Sequence, residues 1–335
     1  MLQFARADDI VAFISELALV ACFSDKNCEG SLIMSRRKVD LIVKFGGSAI
    51  TNKNQLEVLK QAELDKAAIL IEECIQKNMT CVVVHGAGSF GHHQAKQHSV
   101  NSGFLHLEAA AAHAARIGFC QTHTSVAKLN SLVVNSLIQH NVAAVPCSPC
   151  SSWVTRNKEV ISSGLDTLSH LLDAGFVPVI HGDTVRDTNI GGCILSGDTI
   201  IKTLCEEFTV HHVVFLTDVD GIYDRPPDQT GAVLLPCIGV NKHRPLAIGT
   251  SSSDVTDGVI RTCPEERDGQ TTISTSASPY DVTGGVQLKI ETARDIVVTT
   301  QGETKVHVCK IGSDSSHALC LGHDGASFTG TEIVL

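Results

Sequence analysis

Residues 81–93, CVVVHGAGSFGHH, decide how this chain folds. They join a run of apolar, mostly β-branched residues to three glycines, Gly86, Gly88 and Gly91, in the spacing G-x-G-x-x-G. The apolar run predicts a buried strand. The glycines predict a tight turn in which backbone N–H groups can approach phosphate oxygens without a Cβ in the way.

Outward from this stretch, strand patterns and helix patterns alternate along the chain. The predicted strands are VDLIVKF, CVVVH, VAAVPC, VPVIHGD, HHVVFLTDV and TKVHVCKI, with a hairpin over 184–194 and GTEIVL as a last edge strand. The predicted helices cover 55–77, 105–138, 166–174, 198–207 and the segment that follows DVTGG. This alternation is typical of an α/β fold with a largely parallel sheet covered on both faces. Ligands of such sheets bind at the carboxyl ends of the strands.

Composition narrows the class of protein. The net charge of −10 disfavours non-specific nucleic-acid binding, and residues 10–23 are too short for membrane insertion. The 13 cysteines are scattered through mostly apolar runs, which indicates a reducing compartment, so we expect a cytoplasmic protein. Residues 1–37 are predicted to be an extension, disordered or an amphipathic helix, before a domain over 38–335. A mobile insertion is predicted over about 241–278, which is rich in Ser, Thr, Asp and Gly.

The glycine spacing does not fit a dinucleotide-binding fold. That fingerprint belongs at the first strand–helix turn, with an acidic residue ending the second strand about twenty residues later. Here the loop follows the second strand, and Glu108 at that distance lies in an alanine-rich helical stretch. An NAD-dependent oxidoreductase is therefore disfavoured.

Two glycine loops favour a shared polyphosphate site. In VKFGGS, Lys44 lies within the first strand, and Gly46 and Gly47 follow it. The second loop contributes Gly86 and Gly88 at the neighbouring strand end. Each loop alone could be an ordinary strand–helix turn. Two loops that coincide with a strand-end lysine favour phosphoryl transfer, which depends on positive charge and alignment.

Several charged side chains are candidates for that chemistry. Lys289 follows the glycine pair of TGGVQLK by one helical turn, and it could neutralise the moving phosphoryl group together with Lys44. Asp198 could orient both lysines, or it could simply cap a helix. His92 could bind an oxyanion or be a solvated histidine, and Lys53 could reach the same anion. The remaining candidates, Asp218 and Asp220 in TDVDG, fit the nucleotide side, a metal shell or a plain turn.

These blocks together resemble the isopentenyl phosphate kinases of the amino acid kinase superfamily, in the right order across residues 39–333. The specific parts are GGSAITNK and HGAGSFGH. The resemblance implies a three-layer αβα sandwich with a mainly parallel central sheet, often a homodimer, that makes isopentenyl diphosphate from isopentenyl phosphate with ATP and Mg²⁺.

The resemblance also implies roles for individual residues. The catalytic residues would be Lys44, His92, Asp198 and Lys289, with no protein ligand to a metal. The substrate would be bound by Gly47, Lys53, Gly86, Ala87, Gly88, Gly91 and His92. ATP would be bound by Lys44, Gly46, Gly47, Ser48, Asp218, Asp220, Gly221, Gly284, Gly285 and Lys289. The isoprenoid tail would contact Phe104, Leu107 and Phe119.

The chain departs from the usual pattern at Ala87, where three consecutive glycines are common; we expect alanine to be tolerated if its φ is negative. Two other functions stay open. One is a kinase of the same fold that acts on another phosphate, a phosphonate or a carboxylate, although His92 suits a phosphate or phosphonate dianion. The other is a non-catalytic nucleotide-binding or storage protein, which would have no need for both lysines and Asp198.

Overall fold

The computed structural model describes residues 36–240, 285–323 and 327–335, together with the backbone of four two-residue strands between 240 and 285. The chain divides into two units, Met1–Arg36 and Arg37–Leu335, and the second contains the fold. The extension predicted over 1–37, apart from its last two residues, lies outside the described residues. So does the insertion predicted over 241–278, apart from the four short strands.

The described elements follow the predicted alternation. The strands are β1 (Lys38–Phe45), β2 (Cys81–His85), β3 (Ala144–Cys147), β4 (Val154–Arg156), β5 (Glu159–Ser162), β6 (Val177–His181), β7 (Asp183–Asp187), β8 (Gly191–Leu195), β9 (Thr209–Thr217), β10 (Cys237–Gly239), β11 (Ile248–Gly249), β12 (Ile260–Arg261), β13 (Gln270–Thr271), β14 (Ile273–Ser274), β15 (Lys305–Lys310) and β16 (Thr331–Val334). The α-helices are α1 (Gly47–Ile50), α2 (Gln61–Gln76), α3 (His92–Gln97), α4 (Ala109–Gln139), α5 (Leu165–Asp173), α6 (Gly197–Glu207), α7 (Gly285–Thr299) and α8 (Asp314–Cys320). Short 3₁₀ turns cover Gly88–Phe90, Val100–Ser102 and Pro149–Ser151.

The main sheet is largely parallel, as predicted. Its order is β13-β12-β10-β16-β15-β9-β1-β2-β6-β3, and the six strands from β15 to β3 all run parallel. The chain leaves β1 for β2 on one side and later returns to β9 on the other. The carboxyl end of β1 is therefore the point where the strand order reverses, which is where open α/β sheets bind ligands.

Helices cover both faces of this sheet, which confirms the three-layer sandwich. Side chains of a strand alternate between its faces, so Ile42 of β1 joins the core beneath α5, α6 and α7, while Val43 joins the core beneath α2, α4 and α8. None of the helices in the described ranges combines the length and apolar character that crossing a bilayer requires.

Four local predictions need correction. The helix predicted over 55–77 begins only at Gln61, because residues 52–59 form a loop that a Thr51–Leu59 bridge closes. The helix predicted over 105–138 begins at Ala109. The terminal strand β16 is not at an edge, because it pairs with both β15 and β10. The hairpin of β4 and β5 was not predicted; it joins the predicted hairpin of β7 and β8 in a four-stranded sheet ordered β5-β4-β7-β8.

Candidate active site

The carboxyl end of β1 brings two lysines and one aspartate together. Lys44 Nζ forms an ion pair with Asp198 Oδ2, and both residues are only 6% exposed. The Nζ atoms of Lys44 and Lys289 lie 5.7 Å and 5.5 Å from the ring centroid of the buried Phe215. Burial by itself would raise the pKa of Asp198, but the charges of Lys44 and Lys289 lower it, so the carboxylate is ionised. The three predicted charges thus form one cluster.

Each member of this cluster is positioned by a different element. Lys44 is the penultimate residue of β1, in register with Phe215 on β9. Asp198 lies in the first turn of α6, but Ser196 is the N-cap and its Oγ accepts a hydrogen bond from Thr199 N at 3.0 Å. The capping alternative for Asp198 is therefore wrong. Asp198 Oδ1 is buried and makes no hydrogen bond within the described part of the chain.

The two glycine loops touch backbone to backbone. A Cβ on Gly47 would come within 2.5 Å of Gly88 N, and a Cβ on Gly86 within 2.8 Å of Gly47 N. Gly88 has φ +49°, in the left-handed region that favours glycine. Ala87 has φ −70°, so the expectation that its conformation suits alanine is confirmed. The contact explains why both loops need glycine.

Two of the predicted backbone donors are already used. Gly46 N–H donates to Leu216 O at 2.8 Å, and Gly86 N–H donates to Phe45 O at 3.0 Å, because the parallel ladders continue one residue beyond β1 and β2. The expectation that these two amides face phosphate is corrected. Within the described residues, no backbone carbonyl accepts a hydrogen bond from the amides of Gly47, Ser48, Ala87 and Gly88.

A second charged group lies at the end of β9. Asp218 Oδ1 accepts a hydrogen bond from Ser48 Oγ at 3.1 Å, and Oδ2 lies 3.4 Å from Lys53 Nζ. Burial would raise the pKa of Asp218, but Lys53 and Ser48 lower it. Asp220 accepts a weaker hydrogen bond, 3.3 Å long, from the Tyr223 hydroxyl. Lys53, predicted on the substrate side, thus pairs with an aspartate predicted on the ATP side.

The remaining predicted site residues lie on different elements of the fold. His92 is half-buried as the first residue of α3, directly after Gly91. A Cβ on Gly221 would lie 2.7 Å from Thr331 Oγ1, so Gly221 packs against β16. Gly285 begins α7, whereas Gly284 lies outside the described residues.

The side chains predicted to line the isoprenoid cavity are only partly brought together. Phe104 and Phe119 meet edge to face, with ring centroids 6.3 Å apart, and both lie close to Gly192. Leu107 is 39% exposed, and the contact described for it is a backbone hydrogen bond, from its N–H to Phe104 O at 3.3 Å.

A buried histidine pair behind the second loop was missed by the sequence reasoning. His85 and His181 end β2 and β6 and stack with ring centroids 5.2 Å apart. His85 Nδ1 lies 3.1 Å from Gly86 O, and its Nε2 lies 3.1 Å from Asn130 Oδ1. Burial, together with the neighbouring His181, lowers the pKa of His85 to about 3, so the ring is neutral. The repeated His-Gly pair after two buried strands was the available signal.

An imidazole–carboxylate pair lies next to the second of these histidines. His123 Nδ1 is 3.0 Å from both carboxylate oxygens of the fully buried Asp183. Ser148 Oγ donates to the same carboxylate at 3.0 Å. The hydrogen bond to Asp183 raises the pKa of His123.

Comparison with known proteins agrees with this geometry. A family model described as the amino acid kinase family matches residues 41–310. This chain belongs to the amino acid kinase family. It is 35% identical over 295 residues to an Arabidopsis thaliana protein named isopentenyl phosphate kinase, and the match covers 77% of this chain and 83% of that protein. It is 32% identical over 224 residues to the protein of that name from Methanothermobacter thermautotrophicus, covering 66% of this chain and 83% of the relative.

Solved structures confirm the fold. A crystal structure of an isopentenyl phosphate kinase superposes with a TM-score of 0.66 at 23% identity, covering 88% of this chain and 99% of that chain. The product complex of the Thermoplasma acidophilum isopentenyl phosphate kinase gives a TM-score of 0.65 at 22% identity, covering 88% of this chain and all of that one. The sequence resemblance to isopentenyl phosphate kinases is confirmed by the two relatives above.

Proposed function

We propose that this chain transfers the γ-phosphoryl group of ATP to isopentenyl phosphate, giving isopentenyl diphosphate and ADP. The observation that carries the proposal is the cluster of Lys44, Asp198 and Lys289 where the strand order reverses. Two cations around one buried carboxylate suit a transferring phosphoryl group, whose charge is spread over its oxygens. The name of the Arabidopsis relative supports the choice of acceptor.

The cluster would act by alignment and charge. Lys44 and Lys289 would contact the oxygens of the moving phosphoryl group, and Asp198 would hold the Lys44 ammonium in place. Because Lys44 and Asp198 are buried, little reorganisation is needed when charge develops, and preorganised donors of this kind contribute strongly to catalysis. The amides of Gly47 and Ser48 would add hydrogen bonds on the ATP side. The family resemblance implies that ATP would also be bound by Asp218, Asp220, Gly221, Gly284 and Gly285.

The second loop would bind the acceptor. The amides of Ala87 and Gly88 would donate to the monophosphate, with Gly91 allowing the close turn into α3. His92 would donate to the same anion, and Lys53 would reach it from the loop after α1. Phe104 and Phe119 would contact the isoprenoid tail.

Mg²⁺ would arrive with ATP. No group of three or more His, Cys, Asp or Glu side chains suited to a metal occurs among the described residues. Mg²⁺ usually keeps several waters and is bound by substrate phosphates with one or two carboxylates. In contrast to the expectation of no protein ligand to a metal, Asp218, next to Ser48 of the first loop, would supply such a carboxylate. The ion would neutralise charge on the phosphates.

Three further points are proposed on the sequence and the family resemblance. The kinase domain would cover residues 38–335, the protein would be a homodimer, and it would work in the cytoplasm. Light scattering on the purified chain tests the dimer.

An ADP-release assay with a panel of acceptors tests the function. The panel holds isopentenyl phosphate, other monophosphates, a phosphonate and N-acetylglutamate. We expect isopentenyl phosphate to be the best acceptor, and His92→Ala to lose at least about 100-fold in turnover, as for one preorganised anion contact. The matched control is His113→Ala, on an exposed part of α4.

A carboxylate as best acceptor would reassign the substrate, and no ADP release with any acceptor would leave only the binding-protein alternative. Unchanged turnover in His92→Ala would remove His92 from the mechanism.

A further inference from the structure

The loop that carries Lys53 is closed at its base. We call residues 52–59 the Lys53 loop. Its two ends are joined by the Thr51–Leu59 bridge, and Asn52 N–H donates to Val58 O at 2.8 Å. Lys53 itself is 57% exposed at the side chain. Its position therefore depends on how the loop is held against the rest of the protein as well as on its ion pair with Asp218, at 3.4 Å.

Glu57 connects the far end of this loop to α4. Its Oε1 accepts a hydrogen bond from Ser125 Oγ at 2.6 Å, and its Oε2 lies 2.5 Å from Lys128 Nζ. Its backbone N–H donates to Ser89 O, in the second glycine loop, at 3.4 Å. Hydrogen bonds from Lys128 and Ser125 lower the pKa of Glu57, which keeps the carboxylate ionised.

Glu57 also has an unusual backbone conformation. Its φ is +55°, a region that residues other than glycine rarely adopt and that persists only when surrounding contacts enforce it. The enforcing contacts reach the acceptor side, because Ser125 Oγ also accepts a hydrogen bond from Gln94 Nε2 at 3.1 Å. Gln94 lies on α3, two residues after His92.

We propose that Glu57, held by Ser125 and Lys128, is a positioning residue that fixes the Lys53 loop so that Lys53 meets the acceptor phosphate. The proposal rests on the function proposed above. The Glu57–Lys128 pair is partly exposed, with 26% and 59% of the two side chains accessible. Ion pairs that are partly exposed contribute little to folding stability. Loss of the Glu57–Lys128 pair should therefore change the position of the Lys53 loop rather than the stability of the protein.

A double-mutant cycle tests the proposal. The variants of the full chain are Glu57→Gln, Lys53→Met and the two together, measured for KM of isopentenyl phosphate, KM of ATP, kcat and the thermal midpoint. Glu57→Gln should raise KM for isopentenyl phosphate about tenfold, as for the loss of one charge-assisted hydrogen bond, with KM for ATP and the midpoint nearly unchanged. In the Lys53→Met background, the same change should have no further effect.

Two further variants complete the design. Lys128→Met removes the other half of the pair and should reproduce the effect of Glu57→Gln. Asp295→Asn is the matched control, because Asp295 pairs with the partly exposed Lys202 at 2.8 Å, away from the Lys53 loop. It should leave both KM values unchanged.

The outcomes separate this proposal from the proposed function. If Lys53→Met is impaired but Glu57→Gln is not, or if Glu57→Gln has the same effect in both backgrounds, the positioning role is wrong. If Lys53→Met has normal kinetics, the role of Lys53 is wrong and the inference fails with it. A wild-type chain that is inactive on isopentenyl phosphate overturns the proposed function itself.

Discussion

Replacement of Asp198 by asparagine tests the lysine cluster at its most buried point. Asp198 is ion-paired with Lys44, and the charge of Lys289 also lowers its pKa. Asparagine keeps the shape of the side chain and removes the negative charge. The change therefore leaves two cations near Phe215 without their common counter-ion.

The expected loss of stability can be estimated from burial. Removal of one partner from a buried ion pair typically costs about 3–5 kcal/mol. An unfolding entropy of about 2 cal/mol/K per residue over Arg37–Leu335 converts this into a fall of about 5–8 °C in the thermal midpoint. Turnover should fall about 100-fold, because Lys44 loses the group that aligns it.

Ligand and pH dependence make the prediction specific. ATP brings negative charge to the same lysines, so saturating ATP should restore part of the lost stability in Asp198→Asn. The folded-state pKa of Asp198 is lowered, so its contribution to stability is present above the unfolded pKa of about 4 and is lost as the pH falls through the folded value. The difference between wild type and variant should therefore shrink below about pH 4.

The assay is thermal unfolding at pH 7 with and without ATP, combined with ADP release. Asp295→Asn is the matched control, because Asp295 pairs with Lys202 at 2.8 Å and both side chains are more than one third exposed. It should cost no more than about 1 kcal/mol. Midpoint and turnover in Asp198→Asn equal to those of the control would refute the reasoning.

Three further predictions concern the loops and the imidazole–carboxylate pair. Gly47→Ala should strongly reduce activity and lower the thermal midpoint, because the new Cβ would lie 2.5 Å from Gly88 N; a variant with wild-type turnover would contradict the close contact of the loops. Ala87→Gly should keep its activity and lose about 0.5–1 kcal/mol of unfolding free energy in urea titration, since Ala87 already has a helical φ; a large gain in turnover would contradict this. His123→Gln should lower the thermal midpoint more at pH 6 than at pH 9. The hydrogen bond to Asp183 raises the folded-state pKa of His123, so the stabilisation is present below the unfolded-state pKa and is lost as the pH rises through the folded-state pKa. An equal loss at both pH values would rule this out.

The order of the elements and the class of site were predictable from the sequence. Apolar β-branched runs such as CVVVH are buried strands because they suit the interior of a parallel sheet, and the glycines after them mark the loops. Lys44 could be placed at a strand end because strand and loop adjoin in the chain. Each of these features depends on residues that are neighbours in the chain, so the local sequence pattern predicts it.

Contacts between distant segments were decided by the tertiary structure. Asp198 lies 154 residues from Lys44 and Glu57 lies 71 residues from Lys128, and each pair meets only once the chain is folded. The start of α2 at Gln61 was mispredicted because residues 52–59 have a local helical pattern but form a loop, which the contact of Glu57 with Lys128 holds in place. The amides of Gly46 and Gly86 donate hydrogen bonds to neighbouring strands, and the local sequence does not predict which strands those are.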